Sequence, residues 1–381
     1  MGTWSAHHLF GKAEAQLGDA AALDLSRYAQ RLRNRGLPVI FTLGHLAKIT
    51  NIDYEFLHET VNRKREVTNY RMFAIRKRSG GRRFIHAVSG KLSTVQHFLN
   101  KEVLSKIHPH PASYAYHRNG GIRACAERHC GARWLLHFDL KDFFFTIHEA
   151  RVYKIFRMMG YRELLSFELA ILCTTTRLPR SLSHYVIRHP SREAYSSNWP
   201  YREYRYIGVL PQGAPTSPML SNRAAYEMDE DLDRFATELG LVYTRYADDL
   251  TFSAYELPRG WSIGKLKFQV ERMIEKNGFR VNPSKFSVSG PGSRIIVLGM
   301  LVDGDRPRLS KWMRHRIDRL LYSIEKFGWA KVARFDKFDS LYGFYNHVQG
   351  LIAYLQDADP LYGNECKTRF KALKKSLPEG V

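Results

Sequence analysis

Acidic residues are scarce in this chain of 381 residues: 37 Asp and Glu stand against 59 Lys and Arg, a net charge of +22. A balance this basic argues for a polyanionic partner, because each phosphate neutralised by Lys or Arg releases condensed counterions. An anionic membrane surface is the rival. Cysteine is sparse too. Four (Cys125, Cys130, Cys173 and Cys366) do not make a disulfide framework in a chain this long. Cys125, His129 and Cys130 cluster, yet no second Cys/His pair stands at zinc-finger spacing, so reduced cysteines of a cytosolic protein are expected. No apolar run reaches the roughly 18 residues of a spanning helix, and there is no signal-peptide pattern. Ala6 stands where an N-myristoylation start requires Ser or Thr. Internal repeats and low-complexity tracts are also lacking. Apolar residues are not: 44% hydrophobic and 13% aromatic content supports sizeable cores and excludes wholesale disorder. The length suits two or three packed units.

Periodicity predicts a helix over 13–35, from Leu17, Ala21, Leu25, Tyr28 and Leu32 to a stop at Gly36. A second begins after Asp53, a plausible N-cap, and runs into Arg63-Lys64-Arg65. A hairpin follows, with strands 72–76 and 83–88 around Lys77-Arg78-Ser79-Gly80-Gly81. Leu92, Val95, Leu99, Val103 and Ile107 mark another helix. Between 61 and 133 there are sixteen Lys/Arg and three Asp/Glu, so +13 of the +22 sits in one fifth of the chain, as on a phosphate-facing surface. Residues 176–209 read as a long irregular segment rich in Arg and Tyr, a kind of loop uncommon unless functional or mobile. Helices are expected near 152–159, 224–239 and 263–277, and strands near 279–287 and 294–302. Helical stripes over 313–327 and 338–355 follow, the first decorated by Arg314, Arg316 and Arg319. The residues after Asp359-Pro360 are expected to be loosely held.

The strongest local signal is Tyr246-Ala247-Asp248-Asp249 between two short apolar strands. Adjacent carboxylates in a tight turn repel and call for a counter-cation; a hard ion such as Mg²⁺ takes carboxylate oxygens. An Asp-rich polar turn is the bland alternative. Asp139, ending the apolar strand Trp134–Phe138, offers a third carboxylate of the kind that bridges two metal ions about 3.5–4 Å apart, although by itself it could simply cap the next segment. Between them lies Leu210-Pro211-Gln212-Gly213-Ala214-Pro215-Thr216-Ser217-Pro218, leading into a helix. Its prolines rigidify, Gly213 permits close approach, and Gln212 offers both donor and acceptor.

These blocks, with Arg76–Arg83 before them and Asn282-Pro283-Ser284-Lys285 and Val297-Leu298-Gly299 after, resemble in their order the retron-type bacterial reverse transcriptases. The resemblance spans roughly 40 to 355, including Leu43–Asn51. It implies an α/β fold with an α+β palm, a right-hand polymerase divided into an N-terminal helical lead (1–60), basic fingers (61–133), palm (134–302, with the 176–209 insertion) and helical thumb with basic tail (303–381). It implies catalytic and metal-holding roles for Asp139, Asp248 and Asp249, a further ligand in the Leu140 carbonyl, and two Mg²⁺ ions. Lys77 and Arg83 match residues that grip the incoming dNTP, Phe144 matches the aromatic sugar gate, Gln212 a residue beside the template pair, and Lys285 a lysine near the triphosphate. Arg63, Lys64, Arg65, Arg314, Arg316 and Arg319 are expected to hold nucleic acid.

The implied activity is RNA-directed DNA synthesis on a structured noncoding RNA, giving RNA-linked, branched single-stranded DNA (msDNA) and an RNA–DNA hybrid. The implied setting is the bacterial cytoplasm, away from membranes, in anti-phage defence with a partner effector. Two elements depart from the family pattern. Cys125-Ala126-Glu127-Arg128-His129 stands for Asn-Ala-x-x-His, and Val297-Leu298-Gly299 for Val-Thr-Gly; both are tied in the family to recognition of its own RNA. A solitary reverse transcriptase of a defence or intron-related lineage and a catalytically idle RNA-binding scaffold are the alternatives.

Overall fold

A computed structural model describes residues 6–76, 81–186, 206–374 and 377; Lys77 and most of the 176–209 segment fall outside this set. The chain divides into two units, each drawn from two stretches: Met1–His110 with Asp142–Glu227, and Pro111–Lys141 with Met228–Val381.

In the first unit, Gly18 at φ 80° splits the helix expected over 13–35 into α1 (Ala6–Leu17) and α2 (Asp19–Asn34). The Thr42 hydroxyl accepts the His45 N–H and starts α3 (Leu43–Thr50); Asn51, in the left-handed region, ends it before α4 (Tyr54–Val61). After α5 (Glu66–Asn69) comes the expected hairpin, β1 (Tyr70–Arg76) antiparallel to β2 (Arg82–Val88). The helix expected through Ile107 runs as α6 (Gly90–Phe98), then loosens into a π turn (Leu99–Val103) and a 3₁₀ turn (Leu104–Lys106). Three further helices belong to this unit: α8 (Glu149–Met159), α9 (Glu163–Leu172) and α10 (Ser217–Ala224). Buried Thr175 and Val209 exchange both backbone hydrogen bonds at 2.9 Å, so the 176–209 segment leaves and returns at one point.

The second unit carries α7 (Ile122–Glu127), β3 (Trp134–Asp139) and most of α11 (Tyr226–Glu238). β4 (Val242–Tyr246), β5 (Asp249–Ala254), β3 and β6 (Ser287–Ser289) form an antiparallel sheet in the order β4-β5-β3-β6. Leu135, Leu136 and Phe138 are buried, which anchors β3 and delivers Asp139 at its end. Ser262 caps α12 (Ile263–Lys276). The strand expected over 279–287 shrinks to β6, because Pro283 lacks an N–H and opens a 3₁₀ turn. Leu298-Gly299, at φ 49° and 86°, form a two-residue hairpin loop joining β7 (Ile296–Val297) to β8 (Met300–Leu301); β9 (Arg308–Leu309) completes that sheet.

Ser310 and Ser340 cap α13 (Lys311–Phe327) and α15 (Leu341–Ala358), with α14 (Trp329–Phe335) between them. Residues 361–374 are a correction: they belong to α16 (Pro360–Lys374), not to a loose tail. Cys366 and Phe370 join the core of Ile317, Leu321, Trp329, Phe344 and Ile352, and the Trp329 indole donates to the Leu373 carbonyl at 2.9 Å. Burying a side chain of Phe370's size contributes about 2 kcal/mol. Among the described residues no helix is long and apolar enough to cross a membrane.

Candidate active site

Asp139 stands directly opposite Asp249 in the β3–β5 ladder, and Tyr246 opposite Asp249 in the β4–β5 ladder. Ala247 and Asp248 are therefore the two loop residues of a tight hairpin. Ala247 adopts φ 58°, a left-handed conformation that a side-chain-bearing residue holds only when its surroundings enforce it. The Leu140 N–H donates to the Asp248 carbonyl at 2.8 Å, tying the end of β3 to the turn. One short hairpin and one strand end thus bring three carboxylates, Asp139 more than a hundred residues from the other two, to one end of the central strands β3 and β5.

The Asp139 carboxylate is buried and held from the other side. Lys285 Nζ meets its Oδ2 at 2.5 Å, Asn282 Nδ2 its Oδ1 at 3.4 Å, and the Asn282 N–H takes the Asp139 carbonyl at 2.7 Å. His137 Nε2 lies 3.3 Å from Asp249 Oδ1. Burial, then the charges of Asp249 and Asp139, push the Asp248 carboxyl above its usual range, against the pull of its backbone hydrogen bond and Lys285. Burial draws the Lys285 ammonium down, but the Asp139 hydrogen bond and the three carboxylate charges outweigh it and leave Lys285 above the ordinary lysine value. Among the described residues no three His, Cys, Asp or Glu side chains already converge at coordinating distance; Lys285 supplies the positive charge on Asp139. The donor set nonetheless fits a hard divalent cation: clustered carboxylate oxygens, of which Asp248 is raised by burial first and then by the charges of its two neighbours.

In the first unit, the Pro211–Pro218 loop is stitched to β2. The His86 N–H donates to the Gln212 carbonyl at 2.8 Å, and Gly213 (φ 109°) packs so closely that a Cβ would come within 2.9 Å of the His86 carbonyl. Only glycine serves there. Exposed Arg83 sits three residues earlier on the same strand. Phe144 is half-buried, whereas its neighbours Phe143 and Phe145 belong to the core, so its ring is not simply interior packing. Lys77 lies outside the described residues.

Of the residues expected to hold nucleic acid, Arg63 is a correction. Its guanidinium is ion-paired with Glu149 and with Glu66 at 2.5 Å, and bonds the Thr174 carbonyl and hydroxyl at 2.8 Å, leaving the side chain 12% exposed. A buried carboxylate such as Glu149 demands a cation, and Arg63 answers it. Lys64 is exposed; Arg65 pairs with Glu59 and covers the Phe56 ring at 4.9 Å. Arg314 pairs with Asp359 and stacks on Tyr362. Arg316 and Arg319 instead share one face of α13 with exposed Trp312 and Tyr322, Arg316 lying 5.5 Å from the Trp312 ring.

Two groups went unread in the sequence. Arg245 and Asp229, both fully buried, form an ion pair behind the Ala247–Asp248 turn; a lone Arg in a strand of otherwise interior residues was its only signal. The other is the role of Cys125-Ala126-Glu127-Arg128-His129. His129 is buried, its ring nitrogens 2.7 Å from the hydroxyls of Thr244 and Ser253, and burial with the neighbouring Arg128 pushes it down to about 3. Cys125 Sγ lies 3.3 Å from the same Thr244 hydroxyl, and burial raises its thiol to about 11. This element braces β4 against β5, and the His129 and Cys125 side chains face the sheet.

The family model of reverse transcriptase (RNA-dependent DNA polymerase) matches residues 75–302. The chain is 27% identical to the retron Ec86 reverse transcriptase of Escherichia coli, over 91% of this chain and 93% of that protein. It is 31% identical to the retron Mx65 reverse transcriptase of Myxococcus xanthus, over 88% and 73% respectively. For the retron Mx162 reverse transcriptase of the same organism the identity is 30%, over 92% and 70%. Motif order, carboxylate register and these relatives agree: the chain belongs to the reverse transcriptase family and is a retron-type bacterial RNA-directed DNA polymerase.

Proposed function

We propose that this reverse transcriptase copies a structured noncoding RNA that also supplies the priming hydroxyl, giving single-stranded DNA joined 2′–5′ to RNA, and that it acts with a partner effector in anti-phage defence. The observation that carries the catalytic part is the Asp139–Asp249 register with Asp248 beside it. Asp139, Asp248 and Asp249, with the Leu140 carbonyl, would hold two Mg²⁺ ions. When bound, such ions supply charge to the attacking and leaving oxygens of an in-line displacement.

The chain's own residues do the rest. Lys77 and Arg83 grip the triphosphate of the incoming dNTP, for which charge-assisted contacts suit them. Gln212 borders the template pair. Phe144 packs under the sugar and excludes a 2′-hydroxyl. The priming hydroxyl gives its proton to solvent water and bonds to the α-phosphorus; the bond from that phosphorus to the bridging oxygen breaks; Lys285 donates a proton to the departing pyrophosphate and regains one from solvent. Arg316 and Arg319 on the thumb helix, with Lys64 and Arg65 of the fingers, hold the A-form duplex through its backbone, reading shape. The defence role and the effector rest on the family resemblance.

Sequencing nucleic acid that co-purifies with the protein tests the product: RNA joined 2′–5′ to DNA is expected, and purely linear DNA would remove the branched-product reading. Replacing Phe144 by Val should raise rNTP incorporation; unchanged sugar selectivity would remove the gate.

A further inference from the structure

Behind the Asp248–Asp249 turn lies the most completely buried charge pair among the described residues. Arg245 Nε donates to Asp229 Oδ1 at 2.7 Å and Nη2 to Oδ2 at 2.6 Å, with both side chains at 0% exposure. Nη2 also reaches the Ser113 hydroxyl at 3.1 Å, and the Tyr243 hydroxyl donates to Asp229 Oδ1 at 2.9 Å. The remaining arm, Nη1, donates to the carbonyl of Ala247 at 3.1 Å. The Arg245 main chain is fixed as well: its N–H bonds the Ala112 carbonyl at 2.7 Å, and its carbonyl accepts the Tyr114 N–H at 2.8 Å.

We propose that Arg245 and Asp229 are positioning residues for nucleotidyl transfer, the Arg245 guanidinium fixing the Ala247 carbonyl and with it the placement of Asp248 and Asp249. Stability alone does not call for such a pair, since well-packed apolar residues of similar volume commonly replace a buried ion pair without loss. What an apolar side chain lacks is a directional donor. Ala247 sits in the loop, outside the ladder, at φ 58°, and its carbonyl is met by Arg245 Nη1. Asp229 orients the planar fork from α11 by two parallel bonds, so the arm that reaches Ala247 has one direction to point. Misplacement of a reacting constellation by about 1 Å can cost on the order of a hundredfold in rate. The inference rests on Asp248 and Asp249 being the metal-holding carboxylates.

The test is steady-state primer extension by the full chain on an RNA template annealed to a DNA primer, with Mg²⁺ titrated, alongside thermal denaturation and duplex affinity. The triple variant Asp229→Leu, Tyr243→Phe, Arg245→Met removes the pair together with the Tyr243 hydroxyl that serves it. Its melting temperature should stay within a few degrees of wild type and its duplex affinity within about twofold, while kcat falls at least thirtyfold and the half-saturating Mg²⁺ concentration rises severalfold. A folded triple variant with wild-type kcat and Mg²⁺ requirement would overturn the proposal. Should the triple variant not fold, Arg245→Lys decides: it keeps the charge beside Asp229 but loses the fork. Loss of kcat at unchanged nucleotide KM is expected, and full activity would overturn the proposal. A wild-type rate in Asp248→Asn is a distinguishable result, because it would sink the carboxylate assignment on which the inference stands.

Discussion

Lys285 and Asp139, 146 positions apart, meet in a 2.5 Å ammonium–carboxylate contact at the end of the central strand β3. If Asp139 holds a divalent cation as proposed, the lysine would compete with it for Oδ2. The Lys285 side chain is 46% exposed, so solvent screens the pair from its side, while Asp139 is itself buried. Lys285→Met should lower the melting temperature slightly without divalent cation and enlarge the stabilisation produced by added Mg²⁺. Equal Mg²⁺-induced shifts in both proteins, measured by thermal denaturation, would argue against the competition.

Asp248→Asn removes a carboxylate that burial and two like charges disfavour. Extension should fall by about a thousandfold or more, while the melting temperature holds or rises by a few degrees, the pattern expected where function is maintained against stability. A variant that loses activity only by unfolding would show a lowered melting temperature instead.

The raised Asp248 pKa also sets a pH dependence. A carboxyl raised above its unfolded value of 3.8 keeps its proton in the folded state over the interval between the two values, so ionising it on raising the pH costs stability. A bound divalent cation displaces that proton. The rise in melting temperature given by a fixed Mg²⁺ concentration should therefore be larger at pH 8 than at pH 5. Equal rises would contradict the cluster's electrostatics.

Glu168, on α9, is pushed up to about 7 by burial. The folded state binds this proton more tightly than the unfolded chain, whose value is 4.5, so stability should fall as pH rises from about 4.5 through 7. Glu168→Gln should flatten that slope and stabilise the protein at pH 8 by on the order of 1 kcal/mol. Denaturant midpoints at pH 5 and pH 8 measure it.

Arg63 is held by internal carboxylates, whereas Arg316 and Arg319 of α13 are the arginines proposed to meet phosphate. Arg63→Met leaves Glu149 buried and unpaired, which should destabilise the chain by about 3 kcal/mol or more, with little change in the salt dependence of duplex binding. Arg316→Ala and Arg319→Ala should each lower the slope of log affinity against log salt by about 0.7–0.9 at nearly unchanged stability. Binding isotherms at several salt concentrations, beside melting curves, check both halves.

The motifs that carry the family resemblance are legible in the sequence because their requirements are local. Adjacent aspartates in a turn, a carboxylate ending an apolar strand and a Pro–Gly loop each declare themselves within a few residues, and their order carried the family. The hairpin at 70–88 and the strands around Ala247 followed from alternation and turn residues. Where expectation and structure parted, long-range partners decided. The residues after Pro360 looked polar and loose, yet Cys366 and Phe370 had a core waiting in α13–α15. Arg63 looked like part of a basic patch, yet Glu149 lies 86 positions away in sequence.

By itself, then, the sequence determined the charge of this enzyme and the ordered motifs by which it resembles the reverse transcriptases, and it pointed to Asp139, Asp248 and Asp249 as the carboxylates to propose, since residue type and the order of short motifs suffice for these. Tertiary structure alone decided that Asp139 pairs with Asp249, that Lys285 rests on Asp139, and that Arg245 is claimed by Asp229 and Ala247. Register and charge pairing are set by which distant groups are desolvated together, and a buried charge takes whichever opposite charge or dipole the fold brings within reach.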